Sequence, residues 1–309
     1  MGTLQEFFYP SSDGKSRIHA ALWLPEGKPV AVVQIAHGVA EYILRYDAFA
    51  RFLTEQGFAV VGNDHLGHGL SRAEQAETLY FTQEEGWRCA TDDLYALRRH
   101  MQGDFEGLPY FMLGHSMGSF LLRSYLIRYP CTLSGAIVMG TGQMPTLALW
   151  GGRLVARLEA ARRGWNAFSP LTDKLSFGGY NAACRPARTD WDWLSLNEEN
   201  VDAYMADPLC GEPISLELFY EMLGGMQMMQ KEANLRCMDR RTPVLFIAGG
   251  KDPVGQMGKG VTAACESFRR IGVLDTELKL YPTLRHEILN EKEKQQVYED
   301  ILLWIKKRL

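Results

Sequence analysis

Pro109-Tyr-Phe-Met-Leu-Gly-His-Ser-Met-Gly-Ser-Phe-Leu-Leu122 reads as a buried strand, a sharp turn carrying Ser116, and the start of a helix. Tyr110 to Leu113 are apolar and aromatic, as a strand covered on both faces of a parallel sheet requires. Phe120, Leu121, Tyr125 and Leu126 recur at helical spacing. Between them, Gly114-His115-Ser116-Met117-Gly118 is the G-x-S-x-G pattern of a nucleophile elbow. A strand that turns at once into a helix leaves no room for side chains two residues either side of the serine. The turn strains the serine backbone and points its hydroxyl out of the sheet. The helix beginning there aims free backbone N–H groups at developing negative charge. The bare pattern arises by chance in roughly one chain of this length in ten, so its weight comes from the strand and helix around it.

Upstream, Phe7-Phe8-Tyr9 and Ile18 to Leu24 flank Ser-Ser-Asp-Gly, the signature of a hairpin. Val30 to Ala36 is a β-branched run expected in the centre of a sheet. Tyr46, Phe49, Ala50 and Leu53 form a helical stripe that Gly57 stops. Phe58 to Gly62 is the next strand and runs into the polar, glycine-rich loop Asp64 to Ser71. Residues 84–102 read as a helix, and Ala136 to Met139 as another buried strand. From about Gln143 to Arg241 no buried strand is expected. The sheet resumes at Pro243 to Ala248, followed by a helix near 256–271, a strand at Glu277 to Tyr281 and a final helix from Lys292 to Lys307. Strand and helix in alternation predict an α/β fold: a parallel sheet covered on both faces, formed by residues 1–142 and 242–309. Residues 143–241 form an inserted, mainly helical cap.

Length and composition fit one large α/β domain with an insertion. The 309 residues are 46% hydrophobic and 23% charged, with a net charge of -4. That balance, with no basic cluster, excludes nucleic acid as an expected partner. No apolar run approaches the roughly 18 residues of a membrane span. Met1 to Glu6 lacks a signal-peptide pattern, and Glu6 replaces the Ser/Thr of a myristoylation signal. Six scattered cysteines form no C-x-x-C pair, which suggests reduced thiols in a cytoplasmic protein. Nothing in the sequence sets an oligomeric state.

A serine hydroxyl needs a base, and the base needs an orienting acid. On sheets of this kind the three follow the order Ser…Asp…His. Of seven histidines, only His286 follows Ser116. Asp252 alone among the later acids sits just past a strongly buried strand, where ligands and catalytic groups gather; Asp275 and Asp239 remain alternatives. The oxyanion hole needs two N–H donors. Met117, after the nucleophile, is one; the loop His37-Gly38-Val39 supplies the other, at Val39. His65, His68 and Asp64 could suggest a metal, but Gly67 and Gly69 indicate a structured loop, and no metal or organic cofactor is expected. Asp64, His68 and Ser71 are expected to hydrogen-bond that loop, Glu41 to pin the oxyanion loop, and His115 to support it.

These motifs resemble those of the serine α/β-hydrolases of the monoacylglycerol lipase and lysophospholipase group. The resemblance spans nearly the whole chain. It rests on His37-Gly38-x-x-Glu41 with Arg45-Tyr46, on Asp64-His65-x-Gly67-His68-Gly69-x-Ser71, on the elbow, on Gly250-x-Asp252-Pro253-Val254 and on His286-Glu287. It implies an α/β-hydrolase fold and hydrolysis of an ester of one long acyl chain, monoacylglycerol or lysophospholipid, through an acyl-enzyme. It also implies a cap that shapes an acyl tunnel. Ser119 stands where many relatives have a second glycine. The same triad could serve a small-molecule carboxylesterase, thioesterase, acyltransferase or peptidase, or survive in a ligand-binding protein with residual turnover. Met222, Met226, Met228 and Met229 read as cap core or as an adaptable wall for an acyl chain. The stripe Leu147, Trp150, Leu154, Val155 and Leu158 reads by default as cap packing. Tunnel lining, or transient contact with membranes or micelles, is the other reading. The acidic stretch 190–207 is expected to be a solvated loop.

Overall fold

A computed structural model describes residues 2–73, 76–82 and 84–309; Met1, and with it the start of the N-terminal reading, lies outside them. Eight strands form one sheet in the order β1-β2-β4-β3-β5-β6-β7-β8. The hairpin is β1 (Thr3–Pro10) and β2 (Arg17–Leu24). The remaining strands are β3 (Ala31–Ala36), β4 (Phe58–Asn63), β5 (Tyr110–His115), β6 (Gly135–Met139), β7 (Val244–Gly249) and β8 (Thr276–Tyr281). Only β1/β2 and β2/β4 pair antiparallel; the other five pairings are parallel. The β-branched and aromatic runs of β3 to β7 are buried along their whole length, whereas edge strands β1 and β8 keep exposed or half-buried positions.

Period-2 alternation gives the sheet two cores. On one face Val33, Ile35 and Phe111 meet α1 (Asp47–Glu55) and α10 (Lys294–Lys306) through Phe49, Leu53, Ile301 and Trp304. On the other, Val32, Met112 and Phe246 meet α2 (Gly86–Asp104), α3 (Met117–Arg128) and α9 (Lys259–Arg270) through Leu94, Leu121 and Phe268. The alternation predicted from the sequence is present, with helix ends shifted by a few residues.

Between β6 and β7 the described residues form helices and no strand. These are α4 (Thr146–Arg163), α5 (Pro170–Ser176), α6 (Glu198–Ala206), α7 (Leu216–Gln230) and the short α8 (Glu232–Leu235). Helix α7 packs on α4 and α3 and joins the second core through Leu218, Phe219 and Met226. Two expectations need correction here. The α4 stripe does not pack inward: Leu147, Trp150, Leu154 and Leu158 are 86, 61, 59 and 60% exposed. Leu149, Ala156 and Ala160 are the buried positions of that helix; Gly152, where a Cβ would lie 2.6 Å from Leu223, lets α4 lie close against α7. The stretch 190–207 is not a solvated loop either. Asp192 accepts from the Thr189 hydroxyl at 2.6 Å, Trp193 and Leu194 are buried beside Tyr204, and α6 follows. All six cysteines are free.

Candidate active site

Strands β4 and β5 flank β3, so the chain reverses its direction of winding at β3, and the carboxyl ends of β3 and β5 lie side by side, with Ala36 opposite Gly114. Such a reversal opens a crevice at the strand ends. It places the His37-Gly38-Val39 loop beside Ser116: a Cβ on Gly38 would come within 3.2 Å of the Ser116 Cβ.

Ser116 occupies the turn between β5 and α3 at φ 53, ψ -120, a conformation that a non-glycine residue holds only under strain. The flanking glycines are sterically required. A Cβ on Gly114 would run into the Gly118 carbonyl, and one on Gly118 into the Ala36 carbonyl. The Ser116 amide donates to the Met139 carbonyl at 3.0 Å, and its own carbonyl accepts from the Ser119 hydroxyl at 2.6 Å. The Ser119 side chain thus ties down the turn.

Asp252 follows β7 and His286 follows β8; both are buried. His286 Nδ1 lies 3.0 Å from Asp252 Oδ2, but the N–H is bent away from that oxygen, and neither atom has a directed hydrogen bond. Asp252 Oδ1 accepts from the Val254 amide at 2.8 Å. Burial alone would lower the basicity of His286; the charge of Asp252 and its contact, then Glu287 and Glu41, outweigh that and raise it above the ordinary value. The alternative acids point elsewhere. Asp275 pairs with Arg308 at 2.7 Å and Asp239 with Arg241 at 3.0 Å, and neither lines the cavity over Ser116.

His115 packs against the His286 ring with centroids 4.6 Å apart. Its Nδ1 lies 2.9 Å from the Tyr46 hydroxyl and 3.3 Å from Glu41 Oε1, and its Nε2 lies 3.3 Å from the His286 carbonyl. Glu41 accepts from the Gly38 amide at 2.5 Å and the Tyr46 hydroxyl at 2.8 Å. Burial works against its charge, yet Arg45, then His115, hold its carboxyl well below the usual range. In the next loop Asp64 accepts from the Ile43 and Leu70 amides, both at 2.8 Å, and lies 2.9 Å from His19 Nδ1. His37 Nε2 accepts from the His65 amide at 2.9 Å, and His68 Nδ1 lies 3.1 Å from the Leu66 carbonyl. Apart from the Asp64–His19 contact, these are bonds to backbone groups.

Arg45, Tyr46 and Glu287 enter the sequence patterns without an assigned part. Here Arg45 bridges Glu41 and Glu287, and only its i+4 spacing from Glu41 hinted at that. The insertion also reaches the histidine loop, which nothing in the sequence signals. Buried Glu291 accepts from the Ser195 hydroxyl at 2.8 Å and the Leu196 amide at 2.9 Å; the Trp193 ring lies 5.2 Å from that of His286. A cavity of about 780 Å³ opens above Ser116. Val39, Met117 and His286 line it from the sheet side; Val155, Phe219, Met222 and Met226 line it from the insertion.

A sheet wound in this order, with a serine on the strained turn after its fifth strand, defines the protein as an α/β-hydrolase. Residues 27–293 match the family model described as "Serine aminopeptidase, S33", and the chain belongs to that family of hydrolases. It is 29% identical over 294 residues to the monoacylglycerol lipase of Mycolicibacterium smegmatis, which is 94% of each chain. It is 28% identical over 292 residues to the monoglyceride lipase of Rattus norvegicus, 93% of this chain and 86% of the relative. Among solved structures, a thermostable carboxyl esterase from Bacillus coagulans in complex with glycerol matches with a TM-score of 0.88 at 28% identity, over 99% of this chain and 98% of that one.

Proposed function

We propose that the protein is a serine carboxylester hydrolase acting on lipids with a single acyl chain. Ser116 attacks the ester carbonyl while His286 takes its proton and Asp252 orients and stabilises the imidazolium. The amides of Val39 and Met117 hold the oxyanion. The C–O bond to the alcohol breaks, and His286 protonates the leaving oxygen. Water then adds to the acyl-enzyme by the same steps, releasing the fatty acid and restoring Ser116.

The observation that carries this reading is the cavity. Its volume of about 780 Å³ and mainly apolar lining suit an acyl chain lying directly over Ser116. Residues 143–241 act as a cap that supplies its outer wall. The two relatives named as monoacylglycerol and monoglyceride lipases support the same substrate class. Between the two lipid head groups, the lining favours neutral glycerol. Its charged residues among those described are Glu41, Asp173, Glu212 and Glu287, with no lysine or arginine to receive a phosphate. The exposed apolar face of α4, flanked by Arg157 and Arg162, adjoins this wall and suits transient docking on a lipid surface.

The test is one hydrolysis panel with Ser116→Ala as blank: p-nitrophenyl esters from acetate to palmitate, a monoacylglycerol and a lysophosphatidylcholine. Rising kcat/KM with chain length, and cleavage of the monoacylglycerol in preference to the lysophospholipid, are expected. Activity confined to short esters would move the protein to the small-molecule carboxylesterases. Full activity in Ser116→Ala would remove the serine mechanism.

A further inference from the structure

Arg123 lies on α3 two turns after Ser116 and is fully buried. Its guanidinium donates to the Gly142 carbonyl and to Gln143 Oε1, both at 2.9 Å, and lies 3.4 Å from Thr141 Oγ1. Its Nε has no partner, and no carboxylate pairs with it among the described residues. The Phe268 ring lies 6.0 Å away. Burial without a counter-ion pulls the guanidinium down to about 9. An unpaired buried cation is costly, and replacing a buried ion by a hydrophobe is often neutral or stabilising. Stability alone therefore does not account for an arginine here.

Its acceptors do. All three belong to residues 141–143, where the chain leaves β6 for the helical insertion. They diverge, and a planar fork reaches them where an ammonium would not. The same segment is held from the other side: Gln256 donates to the Gln143 carbonyl at 2.9 Å, and a Cβ on Gly142 would lie 2.6 Å from the Val254 carbonyl. Gly142 and Met144 line the cavity.

We propose that Arg123 is a positioning residue for substrate selection: it latches the start of the insertion onto the nucleophile's helix and so fixes the cavity wall at Gly142 and Met144. This rests on the reading of Ser116 and its cavity given above. A loosened latch lets that wall move, and the cost falls on acyl chains long enough to touch it.

The experiment compares kcat and KM for p-nitrophenyl acetate and p-nitrophenyl decanoate in Arg123→Met, Arg123→Lys and Gln143→Ala, with melting temperatures for each and Ser116→Ala as blank. In Arg123→Met the decanoate kcat/KM is expected to fall about tenfold more than that of the acetate, mainly through KM. Arg123→Lys is not expected to restore the ratio, because a point donor cannot span the acceptors. Gln143→Ala keeps the buried cation and removes one acceptor, so it carries the test if Arg123→Met does not fold; a smaller shift in the same direction is expected. Equal losses on both esters, an unchanged ratio in Gln143→Ala, or full rescue by lysine would overturn the latch. Activity surviving in Ser116→Ala would instead overturn the reading of the site, whatever the ratio.

Discussion

Arg45 grips Glu287 with both arms, Nη1 to Oε1 and Nη2 to Oε2, each at 2.8 Å, directly beside His286 in the chain. The same Nη1 donates to Glu41 at 2.6 Å, and the guanidinium lies 4.9 Å over the ring of Tyr204 from the insertion. One buried cation thus joins the oxyanion loop, the histidine loop and the insertion. Removing it strands two buried carboxylates. Arg45→Met is expected to lose about 3–5 kcal/mol of stability in urea unfolding, and Arg45→Lys to recover only part, since it cannot make the fork. The sign with pH follows from the lowered carboxyls of Glu41 and Glu287. Their contribution is present above the ordinary carboxylate range and is lost as pH falls through their depressed values. The difference between wild type and Arg45→Met should therefore shrink in acid; a constant difference would argue against an electrostatic origin.

Most of the fold was legible because its signals are local. Five β-branched or aromatic runs, each bounded by glycine or a polar loop, can be little else than central strands, and Gly114 of the elbow is demanded by contacts with Gly118 and Ser119 in the same turn, whereas Gly118 is demanded by the distant Ala36 and His37. The order of Ser116, Asp252 and His286 along the chain then pointed to one site. What stayed hidden depends on tertiary packing. The α4 stripe has the periodicity of a buried face, but periodicity does not say whether protein or solvent covers it, and here Leu149 and the small Ala156 and Ala160 turn inward. Glu291, Trp193 and Arg123 meet partners from 18 to 96 positions away, a separation at which no spacing rule operates.

His286 acts as a base only when neutral. Burial lowers its basicity, but Asp252 first, with Glu287 and Glu41, raises it above the ordinary histidine value of about 6.5. The acid limb of the kcat/KM profile on a soluble ester is therefore expected above pH 6.5. Asp252→Asn should move that limb to lower pH and reduce kcat by roughly 10⁴. In linkage terms the raised group stabilises the fold below the unfolded value, and that share is lost as pH rises through the folded one. The bent contact of Asp252 with His286 is expected to straighten on binding, as catalytic hydrogen bonds often do. A profile unchanged in Asp252→Asn would assign the orienting acid elsewhere.

His37, His65 and His68 make the opposite prediction. Burial pushes His37 down to about 3 and His68 to about 4, and holds His65 well below its ordinary value. All three stay neutral in the fold but take up protons on unfolding below pH 6.5. Their contribution is complete above that value and declines as pH falls toward the folded ones, at about 1.4 kcal/mol per histidine and pH unit. His19 and His286, with raised values, bind protons in both states and do not add to the loss. Urea midpoints are expected to fall between pH 6.5 and 5, less steeply than the three histidines alone would give, because burial raises the carboxyls of Asp93 and Glu217 to about 6 and about 8, and their uptake of protons in the fold offsets part of the loss. His68→Asn should flatten that slope by about one third of the three-proton effect, even if it lowers stability at pH 7.5. A slope left unchanged by His68→Asn would mean that the cluster takes up protons without unfolding.

The exposed face of α4 makes the last prediction. Leu147, Trp150, Leu154 and Leu158 recur at three- and four-residue steps, so they form one stripe, and none of them lines the cavity. Arg157 and Arg162 are exposed on the same helix. An apolar stripe with a basic flank, on a chain of net charge -4, favours a lipid surface bearing anionic head groups, because the rest of the protein would be repelled and the helix would orient the approach. The double variant Trp150→Ser/Leu154→Ser is expected to lower partitioning onto vesicles of mixed neutral and anionic phospholipid by at least about tenfold, on the order of two buried side chains. Hydrolysis of p-nitrophenyl acetate should be unaffected. Raising salt from low to about 0.5 M should weaken wild-type partitioning through the arginines and leave the apolar share in place. Partitioning that survives the double substitution would put the docking face elsewhere on the molecule.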